Sequence, residues 1–212
     1  LIDIVYSSFN FIKEKIKSHK ITNEYEVQQF IMNEFNKRNY FTDFPPIVGV
    51  NENSANPHYT PDKENYKDIK LNDFVLIDLW AKLNKEDAVW ADITWVGFVG
   101  DSIPEKYVKI FNIVKEARDE AFNLVSKSFK EGKELHGYQV DDKAREIIGK
   151  AGYEEYFIHR TGHSITTDLH GSGPHMDDYE TKDERLLLPS ISFSIEPGIY
   201  FPDDFGVRSE ID

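Results

Sequence analysis

Residues 77–95, IDLWAKLNKEDAVWADITW, decide the reading of this chain. Residues 73–83 and 88–98 are rich in β-branched and aromatic side chains and flank the polar run Asn84-Lys85-Glu86-Asp87, the pattern of two strands and a turn. Asp78 and Asp92 lie fourteen positions apart, centred on Lys85. An antiparallel hairpin with that centre places the two carboxylates opposite each other on one face. Residues 194–212, SIEPGIYFPDDFGVRSEID, repeat the device: Glu196 and Glu210 are again fourteen apart, centred on Asp203 in the turn Pro202-Asp203-Asp204. Their strand neighbours are apolar (Ile77, Leu79, Ile93, Ile195, Pro197), which puts these acids deep in the sheet. Two ionised carboxylates so close repel, and burial sharpens the repulsion. A divalent cation between them removes the penalty. Oxygen ligands with one or two imidazoles suit manganese, iron, cobalt or zinc in a two-metal site. The bland alternative is surface acids on edge strands, each paired with Lys or Arg; two such pairs beside a histidine cluster favour the metal.

Outward from the hairpins, residues 1–19 carry apolar positions at helical spacing (Leu1, Ile4, Val5, Phe9, Phe11, Ile12, Ile16). A second helix is predicted from Asn23 to Arg38, opened by the capping pattern Asn23-x-x-Glu26. Pro45-Pro46 breaks the helical pattern, and IVGV (47–50) reads as a strand. A long helix follows the first hairpin, opened by Ser102-Ile103-Pro104-Glu105 as a capping box and ended near Gly132. Another spans Val140 to Lys150, and FIHRTGH, ISFSIEPGIY and FGVRSEID read as strands. Helix, helix, strands and hairpin thus occur twice in order, which hints at two similar halves with the site between the hairpins.

The chain has 212 residues, is 40% hydrophobic and lacks any linker rich in Gly, Ser or Pro, so a single domain over 1–212 is expected. It begins without Met and stops at EID inside a strand-like run, which reads as a piece of a longer protein. The formal charge of -13 argues against nucleic acid or an anionic membrane as the main partner, since both call for clustered Lys and Arg. There is no cysteine, so thiolate metal sites and disulfides are excluded, and a reducing, cytoplasmic setting is expected. No stretch approaches the ~20 apolar residues of a membrane span. The acidic run MDDYETKDER (176–185) is expected to be a solvated loop that could border a cleft.

Four of the seven histidines, His159, His163, His170 and His175, fall between 159 and 175. In HRTGHSITTDLHG (159–171), His163 and His170 are flanked by Gly and small polar residues, a more specific pattern than a lone strand histidine.

Taken with SIEPGIY (194–200), GVRSEID (206–212), NPHY (56–59) and the first hairpin, this stretch resembles the pita-bread metallopeptidases: methionine aminopeptidase, aminopeptidase P and prolidase. Five motifs stand in that family's order over nearly the whole chain. The resemblance implies an α+β fold, a curved and mainly antiparallel sheet with outer helices and internal pseudo-twofold symmetry. It implies two divalent metal ions, manganese first and cobalt, zinc or iron as alternatives, and a small peptide as substrate; a homodimer is compatible with it. Asp78 would chelate the first ion, Asp92 and Glu210 would bridge both, and His163 and Glu196 would bind the second. Water made nucleophilic by two Lewis acids would attack the peptide carbonyl, with Glu196 as general acid and base. His170 would stabilise the carbonyl oxygen, His58 would sit near the amine or leaving group, and Arg208 would orient carboxylates. His159, four residues before His163, resembles the aminopeptidase P and prolidase side, so Xaa-Pro cleavage is expected, with His58, His159, His170 and Arg208 binding substrate. Methionine aminopeptidase is the alternative within the enzymes; a binding scaffold on the same fold, or creatinase-like chemistry without metal, are alternatives that the complete ligand set disfavours. Three departures touch specificity. Trp80 stands where the family usually has a small residue, Trp95 where it often has Arg, and the first carboxylate pair is more widely spaced. These two tryptophans and Trp90 are expected to pack in the core or at the rim.

Overall fold

The computed structural model describes residues 1–212. Helix α1 (Ile2–Lys17) buries Ile4, Val5, Ser8 and Ile12, positions one helical turn apart that make a single inward face. The short strand β1 (Thr22–Asn23) leads into helix α2 (Glu24–Lys37), capped by Asn23, whose side-chain oxygen accepts from the Glu26 N–H at 2.8 Å. The expected capping pattern is half made, because the Glu26 carboxylate turns away to Lys15. Strands β2 (Tyr40–Phe41) and β3 (Ile47–Val50), a 3-10 turn at Asn51–Ala55 and strand β4 (Asp68–Ile69), paired with β1, complete the approach to the first hairpin.

That hairpin is β5 (Phe74–Leu83) and β6 (Ala91–Phe98), antiparallel, with β3 on the other edge of β5. On β5, Val75, Ile77, Leu79 and Ala81 enter the core beneath α1 and α2, while Asp78, Trp80 and Lys82 take the opposite face. The register departs from expectation: Asp78 pairs with Thr94, and Trp80 with Asp92. The hairpin is centred on Glu86 rather than Lys85, so the two aspartates are diagonal neighbours. A slip of two residues keeps both on one face, whereas a slip of one would have reversed it.

In the second half, helix α3 (Glu105–Glu131) starts after Pro104 without a side-chain cap, so the expected Ser102 capping box does not form. It ends at Gly132, whose φ of 65° belongs to a left-handed C-terminal cap. Helix α4 (Gly137–Lys150) begins a turn earlier than expected, because the Gln139 side chain accepts from the His136 N–H at 2.9 Å. FIHRTGH is mostly not a strand. Gly162 bridges to Met176, and a Cβ there would lie 1.9 Å from the Ser194 carbonyl oxygen, so the chain passes too close for a regular ladder. Regular pairing begins only after it, at β7 (Ser164–Ile165) with β8 (Ser192–Phe193), so neither His159 nor His170 stands on a strand. Strands β9 (Gly198–Phe201) and β10 (Phe205–Arg208) form the second hairpin, which turns through Asp203 in the left-handed region. The run 176–185 is more than a solvated loop. Asp177 and Asp183 are buried, and the Asp183 carboxylate accepts from the His175 N–H at 2.7 Å.

Two apolar cores form, one beneath each helix pair, and Phe74 of β5 belongs to the second. Ile4, Val5, Val27, Ile31 and Phe35 of α1 and α2 pack on β3 and β5, and Val114, Ala117, Val140 and Ile148 of α3 and α4 pack on Ile199, Phe205 and Val207. Antiparallel strands inside and paired helices outside, twice over, are the architecture expected from the repeated element order. The halves meet where the Glu210 N–H donates to the Thr94 carbonyl at 3.3 Å and the Gly206 N–H to Ser54 Oγ at 2.9 Å.

Candidate metal centre and its cleft

A cleft of about 540 Å³ opens at this seam, and all nine residues singled out as site candidates line it: Asp78, Asp92, His163, Glu196, Glu210, His58, His159, His170 and Arg208. The second hairpin delivers its acids as expected. Gly198 pairs with Arg208 and Ile195 bridges Ile211, so Glu196 and Glu210 sit opposite each other in the same register. Asp92, His163 and Glu210 each offer a ligand atom within 4.8 Å of the others, and all are buried. Asp78 and Glu196 flank this trio. The Asp78 carboxylate accepts from Arg208 Nη2 and, at 3.0 Å, from Thr94 Oγ1, while Glu196 Oε1 lies 3.4 Å from His163 Nε2.

The electrostatics call for added positive charge. Burial, then the charges of Asp78 and Glu196, raise the Asp92 carboxyl to about 8. Burial and the same ring of acids raise Glu210 well above the usual carboxylate range. Against the effect of burial, Asp92 and Glu196 raise the His163 imidazole, and His163 and Arg208 hold Glu196 below its ordinary value. Asp92 Oδ1 and Glu210 Oε1 are buried and meet no hydrogen-bond partner in the protein. Buried carboxylate oxygens are costly when unpaired. Two of them aimed beside one imidazole fit a divalent cation.

Several supporting residues were not anticipated. Thr94 Oγ1 reaches Asp78 Oδ1 and Glu210 Oε2 (2.7 Å) and accepts from Arg208 Nε (2.9 Å). Ser194 Oγ accepts from the His163 N–H at 3.0 Å and donates to Glu196 at 2.9 Å. Asp212 accepts from the Asp92 N–H at 2.9 Å, and burial raises its carboxyl to about 6. Thr94, Ser194 and Asp212 each stand two residues from a candidate ligand on an extended segment, so period-two reading would have found them.

The histidines divide into two kinds. His159 has both ring nitrogens occupied inside the protein, Nδ1 at 2.7 Å from the Arg160 carbonyl and Nε2 at 2.7 Å from Tyr200 OH. A carbonyl only accepts, so Nδ1 carries the proton and Nε2 accepts from the tyrosine hydroxyl. Burial lowers this imidazole to about 4, keeping it neutral. Tyr200 OH in turn accepts from Arg208 Nη1 at 3.2 Å. His170 is open to the cleft and stands edge-on to His163, ring centroids 4.4 Å apart. Desolvation and the charges of His163 and Arg160 lower its pKa. His58 is exposed in the loop after the 3-10 turn, its N–H donating to Asn56 Oδ1 at 3.0 Å. Trp80 lines the cleft, whereas Trp95 faces away from it and packs edge-on against Tyr6 of α1, ring centroids 4.9 Å apart. Trp90 is buried and packs against Phe41, ring centroids 5.8 Å apart.

The chain is similar to known proteins over most of its length. The profile of metallopeptidase family M24 matches residues 2–212. A putative Xaa-Pro aminopeptidase of Mycoplasma pneumoniae is 34% identical over 79% of this chain and 43% of its own length. The solved prolidase of Thermococcus sibiricus superposes with a TM-score of 0.77 at 34% identity, over 98% of this chain and 52% of that one. The X-Pro aminopeptidase of Thermotoga maritima superposes at 0.79 and 26% identity, over 99% and 54%. The chain thus spans about half the length of the relatives it matches. The family profile covers nearly the whole chain, and the chain belongs to metallopeptidase family M24.

Proposed function

We propose that residues 1–212 form the catalytic domain of a two-metal peptidase that cleaves an Xaa-Pro bond next to a free N-terminus. The observation that carries the reading is the pair of buried, unpartnered oxygens on Asp92 and Glu210 beside His163. Asp78, Asp92, His163, Glu196 and Glu210 would together hold the ions. Four carboxylates and one imidazole form a hard donor set, which favours manganese, with cobalt, zinc or iron able to substitute. Bound there, the ions supply Lewis acidity to the scissile carbonyl and make water nucleophilic near neutral pH.

The protein's own groups carry the rest. Glu196, kept ionised by His163 and Arg208, accepts the proton of the attacking water and passes it to the departing amine. His170, neutral and open to the cleft, donates to the developing oxyanion. His58 faces the same cleft from the first half, where it can meet the leaving group. His159, with both nitrogens in use, acts through Tyr200 to hold Arg208, and Arg208 orients Asp78. The preference for proline is supported by the names of the relatives, a putative Xaa-Pro aminopeptidase and a prolidase among them. The test is elemental analysis of the purified protein with hydrolysis of Xaa-Pro and Met-Ala peptides under metal-replete conditions. Bound transition metal and faster Xaa-Pro cleavage are expected. Preference for the Met-Ala peptide would replace this reading with methionine aminopeptidase activity.

A further inference from the structure

The face that presents the acids also presents a tryptophan. Trp80 pairs directly with Asp92 across the β5–β6 ladder, and side chains so paired stand about 4.5–5.5 Å apart at Cβ. It is half-buried, lines the cleft, and its Nε1–H donates to Asp43 Oδ1 at 2.8 Å. That bond holds one edge of the indole, and its remaining surface faces the cleft. Next to it on the same face, Ile47 pairs with Asp78 from β3. The metal-facing acids are therefore bordered on the β3–β5 side by an apolar strip, while His163, Glu196 and Glu210 approach from the second half.

We propose that Trp80 is a specificity-determining residue, the wall of a subsite that takes an apolar side chain on the first residue of the peptide. The inference rests on the peptidase reading for one point only. A peptide whose amine and first carbonyl reach the acids must place its first side chain within a residue's width of Asp92. The wall there is indole and isoleucine, and the carboxylate of Asp43, which holds the indole N–H, lines the same cleft. Leucyl or methionyl peptides gain apolar contact, glycyl peptides gain none, and aspartyl peptides meet like charge.

The test pairs kinetics with a binding signal. Hydrolysis of Leu-Pro-Ala, Gly-Pro-Ala and Asp-Pro-Ala is compared in the wild type, Trp80→Ala, the fold-conserving Trp80→Phe and Asp43→Asn. In parallel, reduced-amide analogues of the leucyl and glycyl peptides, which cannot be hydrolysed, are titrated into zinc-loaded protein while the Trp80 indole N–H resonance is followed. The leucyl over glycyl ratio in kcat/KM should fall about tenfold or more in Trp80→Ala and less in Trp80→Phe, the size expected for one apolar side chain in its pocket. The leucyl analogue should shift the Trp80 resonance more than the glycyl one. A ratio that is unchanged or rises in Trp80→Ala, or a resonance that does not move, overturns the subsite even if every Xaa-Pro peptide is cleaved. If the wild type cleaves none of the peptides yet the leucyl analogue moves Trp80 selectively, the peptidase reading falls and the subsite stands. If neither analogue binds, the subsite falls as well.

Discussion

Thr94 shows how little material holds the centre together. Its hydroxyl has one proton and two carboxylate neighbours, Asp78 and Glu210, while Arg208 donates to its oxygen. Thr94→Val keeps the β-branched shape and removes the hydroxyl, so the fold should survive with the two acids no longer aligned. Loss of such an outer hydrogen bond weakens metal binding by about 10–100-fold. Equilibrium dialysis with elemental analysis would read it, and undiminished affinity would show that the hydroxyl has no role in setting the ligands. The acids also dictate a pH dependence. Asp92 is raised from an ordinary 3.8 to about 8 without metal, so the folded protein holds a proton that the unfolded chain has lost. Stability of the metal-free protein should therefore fall as pH climbs through that window and level off above it. Metal replaces the proton, so the metal-induced rise in Tm should grow from pH 5 to pH 8. A rise independent of pH would contradict the burial of Asp92 as a protonated acid.

At the scale of the elements, the hairpins show what a sequence can and cannot convey. Alternation assigned Asp78 and Asp92 to one face, because a period of two is written into every strand residue. Register was less legible: the turn from Asn84 to Trp90 has no residue that marks its centre, and the ladder settled two residues from the symmetric guess. The second hairpin, with Asp203 at positive φ, has such a marker, and its register matched. FIHRTGH failed as a strand for a different reason. Its glycine answers a close approach to Ser194 that arises only after long-range folding. The ladder also reaches a loop that local patterns could not connect to it. Lys82 Nζ and Trp90 Nε1–H both donate to the Thr167 carbonyl, at 2.8 and 2.9 Å, and the Trp90 N–H donates to the Thr166 carbonyl at 3.0 Å. This grip fixes the segment that carries Leu169 and His170 into the cleft. Trp90→Phe retains the ring and loses the indole donor. It should lower kcat about tenfold, with metal content unchanged, if His170 acts on the transition state from a held position. An equal loss in the His170→Ala background would show that Trp90 does not work through His170.

Across the whole molecule, the site depends on two halves that meet at a shared seam, with Phe74 of β5 reaching into the core of the second. Asp78 and Asp92 belong to the first half, His163, Glu196 and Glu210 to the second, so ligand geometry is a statement about how the halves dock. Gly206 lies in that seam. A Cβ there would stand 2.3 Å from the Ser54 carbonyl oxygen and 2.9 Å from Ala55 Cα, both backbone atoms of the other half. Neither can step aside without moving the 3-10 turn that follows β3. Gly206→Ala should therefore push the hairpin that carries Glu210 away from the strands that carry Asp78 and Asp92. Overpacking of this kind costs about 1–3 kcal/mol, or a fall in Tm of roughly 2–10 °C for a chain of this size. Metal affinity should fall with it, because Asp92 and Glu210 come from opposite sides of the displaced seam. Gly132→Ala is the control. Its Cβ meets nothing within 4 Å, and the cost is the left-handed φ of 65° alone, paid at the end of α3 far from the ligands. It should lower Tm, by about 1 kcal/mol of backbone strain, and leave metal affinity as it was. Calorimetry and metal titration on both variants separate the two effects. If Gly206→Ala loses stability but binds metal as tightly as the wild type, the halves do not set the ligand geometry by docking, and the centre is held by its own hydrogen bonds instead.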